Sequence, residues 1–230
     1  MIDENFGDIL SKSKAWGWIL EPDAKQLMHT AGLTIPRFLC AKTTEEACDF
    51  AHTIGYPVVA KIVSPTVMHK SDVHGVEVGI DTDEKLMKAF DRFSTIEQFH
   101  GMLVEEMIHG IELIIGATID YQFGPMILMG MGGTGVEIYG DVSLRMAPLV
   151  ENDVESMVQG LKGRPLLEGY RGADSINFGE LTRLLMCFSD LVMKLEVSID
   201  SIDLNPVFCT SDSCTVADAR IVLKNPDSHH

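Results

Sequence analysis

Residues 61–80 read KIVSPTVMHKSDVHGVEVGI. Two apolar, valine-rich runs, VVAKIV at 58–63 and GVEVGI at 75–80, flank a polar loop. Branched apolar runs bounded by turn-formers predict strands, so the stretch reads as two strands joined by a loop. Lys61 lies inside the first run, and the loop holds His69, Lys70, Ser71 and Asp72. A lysine in a buried strand must be paired or face a cavity. A phosphate would meet that need, and so would one of the chain's many glutamates. His69 taken alone reads as a solvated loop residue. Yet an imidazole is a usable nucleophile near neutral pH, because its unperturbed pKa is about 6.5. With Lys70 beside it, His69 is a candidate phosphoryl acceptor.

The composition narrows the classes. The chain has 230 residues and is 46% hydrophobic, enough for a core in one large domain or two small ones. No apolar run approaches the roughly 18 residues that span a bilayer. The opening MIDENFGDIL is acidic and lacks the order of a signal peptide, so a cytoplasmic protein is expected. The net charge of −16 opposes nucleic acid as a partner, since phosphate-backbone binding relies on Lys and Arg. It also opposes an anionic membrane surface. A small phosphate ligand is compatible, because a few lysines, a metal ion and backbone N–H groups can hold one locally. Five cysteines without a CxxC suggest neither a disulfide framework nor a standard zinc site. The terminal NPDSHH is left out of the fold.

Helices and strands mix along the chain without a strict βαβ beat, so the expected class is α+β. The first 21 residues read as an arm carrying Trp16 and Trp18. Residues 22–104 form a first subdomain and 105–230 a larger second one. EPDAKQLMHTAG reads as a short helix closing on Gly32. TTEEACDFAHTIG opens with Thr43 three residues before Glu46, a capping-box pattern. TDEKLMKAFDRF places Leu86, Phe90 and Phe93 on one helical face. FGPMILMGMGGTGVEIYGD gives two strands around a glycine loop. ENDVESMVQGL and ELTRLLMCFSDLVMKL are amphipathic helices, and SIDLNPVFC with CTVADARIVL makes a closing hairpin.

That hairpin carries a geometric expectation. If Cys209 and Cys214 face each other across the TSDS loop, Asn205 lies opposite Asp218, and Asp203 opposite Arg220. Opposed residues share a face, with Cβ atoms about 4.5–5.5 Å apart. An amide oxygen and a carboxylate so placed suit Mg2+, which takes one or two carboxylates, keeps waters and binds substrate phosphates. Pairing alone leaves open, and slightly favours, an Asn-Pro turn beside a solvated Asp. The glycine loop could offer backbone N–H groups to phosphate. However, no Lys-Ser or Lys-Thr follows it as in a Walker motif, and turns use glycine as readily.

In order, GYPVVAKIVSP, HKSDV, VEEMIHGIELIIG, FGPMILMGMGGTGVE, DVSLRMAPL, GYRG and IDLNP resemble one family. It is the β subunit of ADP-forming acyl-CoA (acetyl-CoA) synthetase, in the ATP-grasp superfamily and related to succinyl-CoA synthetase. Each stretch is weak alone; together they are specific and span about residues 22–223. The resemblance implies an ATP-grasp fold with two α+β subdomains clamping ADP or ATP. It implies that Lys61 contacts nucleotide phosphate, that Glu105, Glu106 and Met107 form the hinge against adenine, and that Glu112 lies near the ribose. It makes Asn205 and Asp218 the Mg2+ pair, with Asp203 in support, and His69 the phosphate acceptor. The implied reaction is acyl-CoA + ADP + phosphate ⇌ carboxylic acid + ATP + CoA. It is shared with a CoA-binding α subunit in an α2β2 assembly. Two positions depart from the family. His74 stands where a glycine is usual, so its Cβ restricts positive φ and its ring is a competing acceptor. Ser201 stands where an acid is usual. Other readings are a succinate- or malate-type acid–CoA ligase subunit, against which the HKSDV loop argues, and a nucleotide-binding module without turnover.

Overall fold

A computed structural model describes residues 2–133 and 140–224, with residues 2–5 described by their backbone alone. In chain order the elements are α1 (Ile2–Ser13), β1 (Trp18–Ile19), α2 (Glu21–Thr30), β2 (Phe38–Ala41), α3 (Thr44–Ile54) and β3 (Val58–Val63). A 3-10 turn (Lys70–Val73) follows, then β4 (Val76–Ile80), α4 (Asp83–Ser94), β5 (Gly101–Glu106), β6 (Ile111–Asp120), β7 (Gly124–Met131) and β8 (Val142–Met146). The chain closes with α5 (Glu151–Gly160), α6 (Arg164–Leu167), α7 (Phe178–Leu195), β9 (Ile199–Cys209), β10 (Cys214–Val216) and β11 (Ala219–Leu223). The mixture of helices and antiparallel sheets is the expected α+β class. Among the described residues no helix is long and apolar enough to cross a membrane.

The chain forms two compact units: residues 20–22 with 36–108, and residues 1–19 and 23–35 with 109–230. The smaller unit is a four-stranded antiparallel sheet in the order β2-β5-β3-β4. Val58, Ala60, Ile62, Met102 and Val104 of its strands share one core with Leu86, Ala89, Phe90 and Phe93 of α4. The predicted face of α4 is therefore the buried one. Its Thr82 cap accepts from the Lys85 N–H, and Asp83 and Glu84 occupy the first turn, where acidic residues oppose the helix dipole. At α3 the cap is half as expected: Thr43 Oγ1 accepts from the Glu46 N–H at 3.2 Å. The Glu46 carboxylate reaches one residue further back, accepting from the Lys42 N–H at 2.7 Å.

The larger unit is built on a seven-stranded sheet in the order β1-β11-β9-β6-β7-β8, with β10 beside β9. One face carries Leu113, Ile115, Ile127, Met129, Ile202 and Leu204, packed with Leu181, Leu184, Leu185 and Phe188 of α7. Those α7 positions recur at helical spacing, and Asn177 caps the helix by accepting from the Glu180 N–H at 3.1 Å. Along β9 the buried Ile202 and Leu204 alternate with Asp203 and Asn205, because successive strand residues point to opposite faces.

The division corrects the expected boundaries. Trp18 and Ile19 are no free arm: they pair with Val222 and Ile221 of β11, and Ile19 is fully buried. Residues 23–35 likewise belong to the larger unit. The other boundary falls after Ile108, not 104, because Glu105 and Glu106 continue the β5 ladder against β3. The strand expected around GVEIYGD falls largely at residues 134–139, outside those described; the next strand is β8.

Candidate functional site

In the smaller unit, Lys61 sits mid-strand in β3 with its side chain 6% exposed. Its Nζ lies 2.9 Å from Glu21 Oε1 and 2.7 Å from Glu105 Oε1. Glu21 opens α2 and is itself buried, and its second oxygen, Oε2, lies 2.9 Å from Lys70 Nζ. Two carboxylates and two ammonium groups thus alternate, Glu105–Lys61–Glu21–Lys70, and their formal charges cancel. Such mutual neutralisation allows ionised side chains to stay in a dry strand layer. The glutamate answer to the Lys61 question is therefore realised.

The neighbouring Glu105 and Glu106 carboxylates take different partners. The Glu105 carboxylate is turned to Lys61. The Glu106 carboxylate, on the opposite side of the pleat, takes Arg37: Nη2 donates to Oε1 at 3.0 Å and Nε to Oε2 at 3.3 Å. The hydrogen bonds from Arg37 hold the Glu106 carboxyl below the usual range. The Glu106 N–H also donates to the Arg37 carbonyl at 3.0 Å. Both side chains serve the smaller unit itself, and half-buried Met107 follows the strand end.

His69 is exposed and heads the 3-10 turn. The turn closes on itself: Asp72 N–H donates to the His69 carbonyl at 3.2 Å, and Gly75 N–H to the Lys70 carbonyl at 2.7 Å. A Cβ at Gly75 would stand 2.5 Å from Ile62 Cγ2, so the loop must re-enter β4 through glycine. Just before it, His74 adopts φ 50°, ψ 38°, the left-handed region that penalises a side chain. The family's usual glycine is thus the residue this backbone favours. His74→Gly is expected to raise stability by about 0.5–1 kcal/mol, read as a higher urea midpoint at unchanged slope. An unmoved or lower midpoint would show that the turn bears no such strain.

In the larger unit the hairpin register is as expected. Cys214 opposes Cys209, and Val216 opposes Val207. Beyond the two intervening residues Ala219 opposes Leu204 and Arg220 opposes Asp203 in the same register. The Ala217 N–H donates to the Pro206 carbonyl at 3.0 Å, which keeps Asn205 opposite Asp218. Asn205 is exposed and Asp218 half-buried, on the face of the sheet away from the core. Asp203 is engaged by Arg220, Nη2 to Oδ2 at 3.2 Å. Among the described residues no group of three or more His, Cys, Asp or Glu could hold a metal ion. A single carboxylate with a facing amide oxygen does fit Mg2+, whose remaining positions go to waters and phosphate. The paired cysteines are free, buried thiols; their mutual hydrogen bond, with burial, pushes the Cys209 thiol up.

Glu112 is exposed near the start of β6, and its carbonyl accepts from the Gly132 N–H at 2.6 Å. A Cβ at Gly132 would lie 2.7 Å from Glu112 Cβ. The first part of the glycine run therefore serves a close approach of two strands. Its remainder lies outside the described residues. Sequence reasoning missed Glu21, the hub of the buried charges. Its only sequence signal is an acid at a helix start, which ordinarily needs no further explanation.

Comparison with known proteins gives a family context. Residues 11–223 match the ATP-grasp domain model. The chain is 38% identical over 225 residues to the Pyrococcus furiosus acetate–CoA ligase [ADP-forming] I subunit β, covering 94% of this chain and 97% of that one. It is 37% identical to acetate–CoA ligase [ADP-forming] II of Archaeoglobus fulgidus, over 89% of this chain but 30% of that one. A solved structure of Ca. Korarchaeum cryptofilum acetyl-coenzyme A synthetase 1 superposes with a TM-score of 0.80 at 38% identity, over 94% of this chain and 99% of that one. That protein is in complex with coenzyme A and Mg-AMPPCP, with its phosphohistidine segment pointing towards the nucleotide binding site.

Proposed function

Since the chain belongs to the ATP-grasp family, among the β subunits of ADP-forming acetate–CoA ligases, we propose that it is the nucleotide-binding subunit of such a ligase. It binds ADP or ATP with Mg2+, accepts a phosphoryl group on His69 and passes it to ADP. The observation that carries this reading is His69 itself. It is an exposed imidazole heading a turn whose next residue is tied into a buried cluster of opposite charges. The phosphohistidine segment of the Korarchaeum relative supports the same assignment.

Each residue has a part that its geometry permits. Lys61, paired with Glu21 and Glu105, contacts a nucleotide phosphate oxygen. With the Glu105 and Glu106 side chains engaged elsewhere, the adenine hinge is formed by the backbone at Glu106 and Met107. Glu112 reaches the ribose hydroxyls. Asn205 and Asp218 hold Mg2+, which neutralises phosphate charge, while Asp203, fixed by Arg220, supports that pair. His69 takes the phosphoryl group from a phosphohistidine of the α subunit: the N–P bond to His69 forms as the donor's N–P bond breaks, and the proton lost by the His69 ring passes to the departing donor imidazole. A β-phosphate oxygen of ADP then attacks phosphorus, the N–P bond breaks and ATP forms. Phosphoryl transfer of this kind depends mainly on positioning and charge neutralisation.

The acyl-CoA chemistry belongs to a separate chain. The subunit naming of the Pyrococcus relative and the 30% coverage of the Archaeoglobus relative support a partner carrying the remaining parts. That partner is the CoA-binding α subunit, in an α2β2 assembly, and it selects the carboxylic acid. The test is ATP formation from acetyl-CoA, ADP and phosphate with Mg2+, with and without the purified α chain. Both chains and Mg2+ together are expected to be required, and EDTA to abolish ATP formation. Thioester cleavage by this chain alone would contradict the reading.

A further inference from the structure

We infer that the ion pair between Lys70 and the buried Glu21 is a latch. It docks the His69 segment, and a phosphoryl group on His69 releases it by competing for Lys70. The assignment of His69 as acceptor rests on the reading above; the latch rests on the geometry of the smaller unit. Glu21 bridges two lysines of different kinds. Its Oε1 meets Lys61 on a central strand, and its Oε2 meets Lys70 in the loop turn, 2.9 Å each. Of residues 68–74, Lys70 alone is not exposed, and its side chain is 14% exposed against 3% for Glu21. The turn closes through its own backbone hydrogen bonds, and Arg92 Nη2 of α4 also donates to the His74 carbonyl at 3.4 Å. The Gly75 carbonyl accepts from the Ile62 N–H of β3 at 2.8 Å, and Lys70 carries the segment's ion pair to the buried charges of the smaller unit.

The charge balance makes the latch responsive. While His69 is unmodified, Glu21 is neutralised from both sides. A phosphoryl group adds between one and two negative charges one residue from Lys70. The ammonium then has an anion within its own turn. Glu21 keeps Lys61, so letting Lys70 go leaves no buried carboxylate unpaired. The strand lysine is thereby the permanent partner and the loop lysine the exchangeable one. Lys70 and Glu21 act here as positioning residues, governing where the imidazole sits.

Amide hydrogen exchange of the segment tests this in the full chain. Lys70→Gln should speed exchange at Asp72, His74 and Gly75 by at least about tenfold, with β3 and β5 unchanged. Lys70→Arg should restore protection, since it keeps the charge. Glu21→Gln should loosen the segment as Lys70→Gln does, and the double variant should add nothing. Phosphoramidate then phosphorylates accessible histidines without any nucleotide: its P–N bond breaks, ammonia leaves, and the imidazole gains phosphorus as it loses a proton. Modified wild type should match Lys70→Gln, while His69→Asn treated alike should stay protected. Protection unchanged in Lys70→Gln, or not restored by Lys70→Arg, overturns the latch. Modified His69 with undiminished protection overturns the release. Because the phosphoryl donor is chemical, a failure of His69 to take phosphate from ATP would be seen separately.

Discussion

Lys61→Met is expected to destabilise the protein by about 3–5 kcal/mol, the cost of breaking a buried ion pair from one side. Methionine matches the length of the lysine stem, so packing along β3 changes little. The loss is electrostatic. Glu21 retains Lys70 at 2.9 Å, but Glu105, 3% exposed, loses its 2.7 Å partner. Urea unfolding of Lys61→Met, Glu105→Gln and the double variant separates the contributions. The double variant should recover much of the loss, because the Glu105 charge is then gone. Three additive destabilisations would show that Lys61 and Glu105 do not act as a pair. Lys61→Met should also weaken nucleotide binding, since the same ammonium is proposed to meet a phosphate.

Asp218→Ala is expected to lower ATP formation by the assembled enzyme on the order of 10³-fold. That corresponds to the several kcal/mol of transition-state charge stabilisation a bound cation supplies. Asp218 lies outside the strands, between Val216 and Ala219, on the side away from the core. A urea midpoint measured beside the rate separates a loss of fold from a loss of the metal site. Raising Mg2+ should recover part of the rate in Asp218→Asn, which keeps one oxygen ligand, and little in Asp218→Ala. Full activity in Asp218→Ala would remove this residue from the metal site.

The closing hairpin was legible because a short turn fixes antiparallel register, and register fixes which side chains meet. Facing Cys209 with Cys214 was enough to place Asp203 against Arg220, as found, and Asn205 against Asp218. The buried face of α4 was legible for a similar reason: Leu86, Phe90 and Phe93 repeat at helical spacing. Lys61 was legible as a residue needing a partner, but the partner was not. Glu21 lies 40 positions away, and no local pattern records that distance. Residues 1–19 and 23–35 were not assigned to the larger unit, and the strand that ties residues 18–19 to it is two residues long, too short for alternation to reveal. Glu105 and Glu106 look alike in sequence. The pleat sends one to Lys61 and the other to Arg37. The glycine run and the HKSDV loop carried little meaning singly. Their order along the chain suggested the family to which the matched domain belongs.

Incubation of the chain with Mg2+ and γ-labelled ATP, in the presence of the α subunit, tests the central claim most directly. Wild type and His69→Asn are compared for phosphate that is labile in acid and stable in base. Label on this chain in wild type, and none in His69→Asn, is the predicted result. Equal label on both would contradict the account by moving the acceptor elsewhere, with His74 the nearest imidazole in sequence. No label on either, with nucleotide bound, would contradict it by leaving this chain a binding subunit that carries no phosphoryl group.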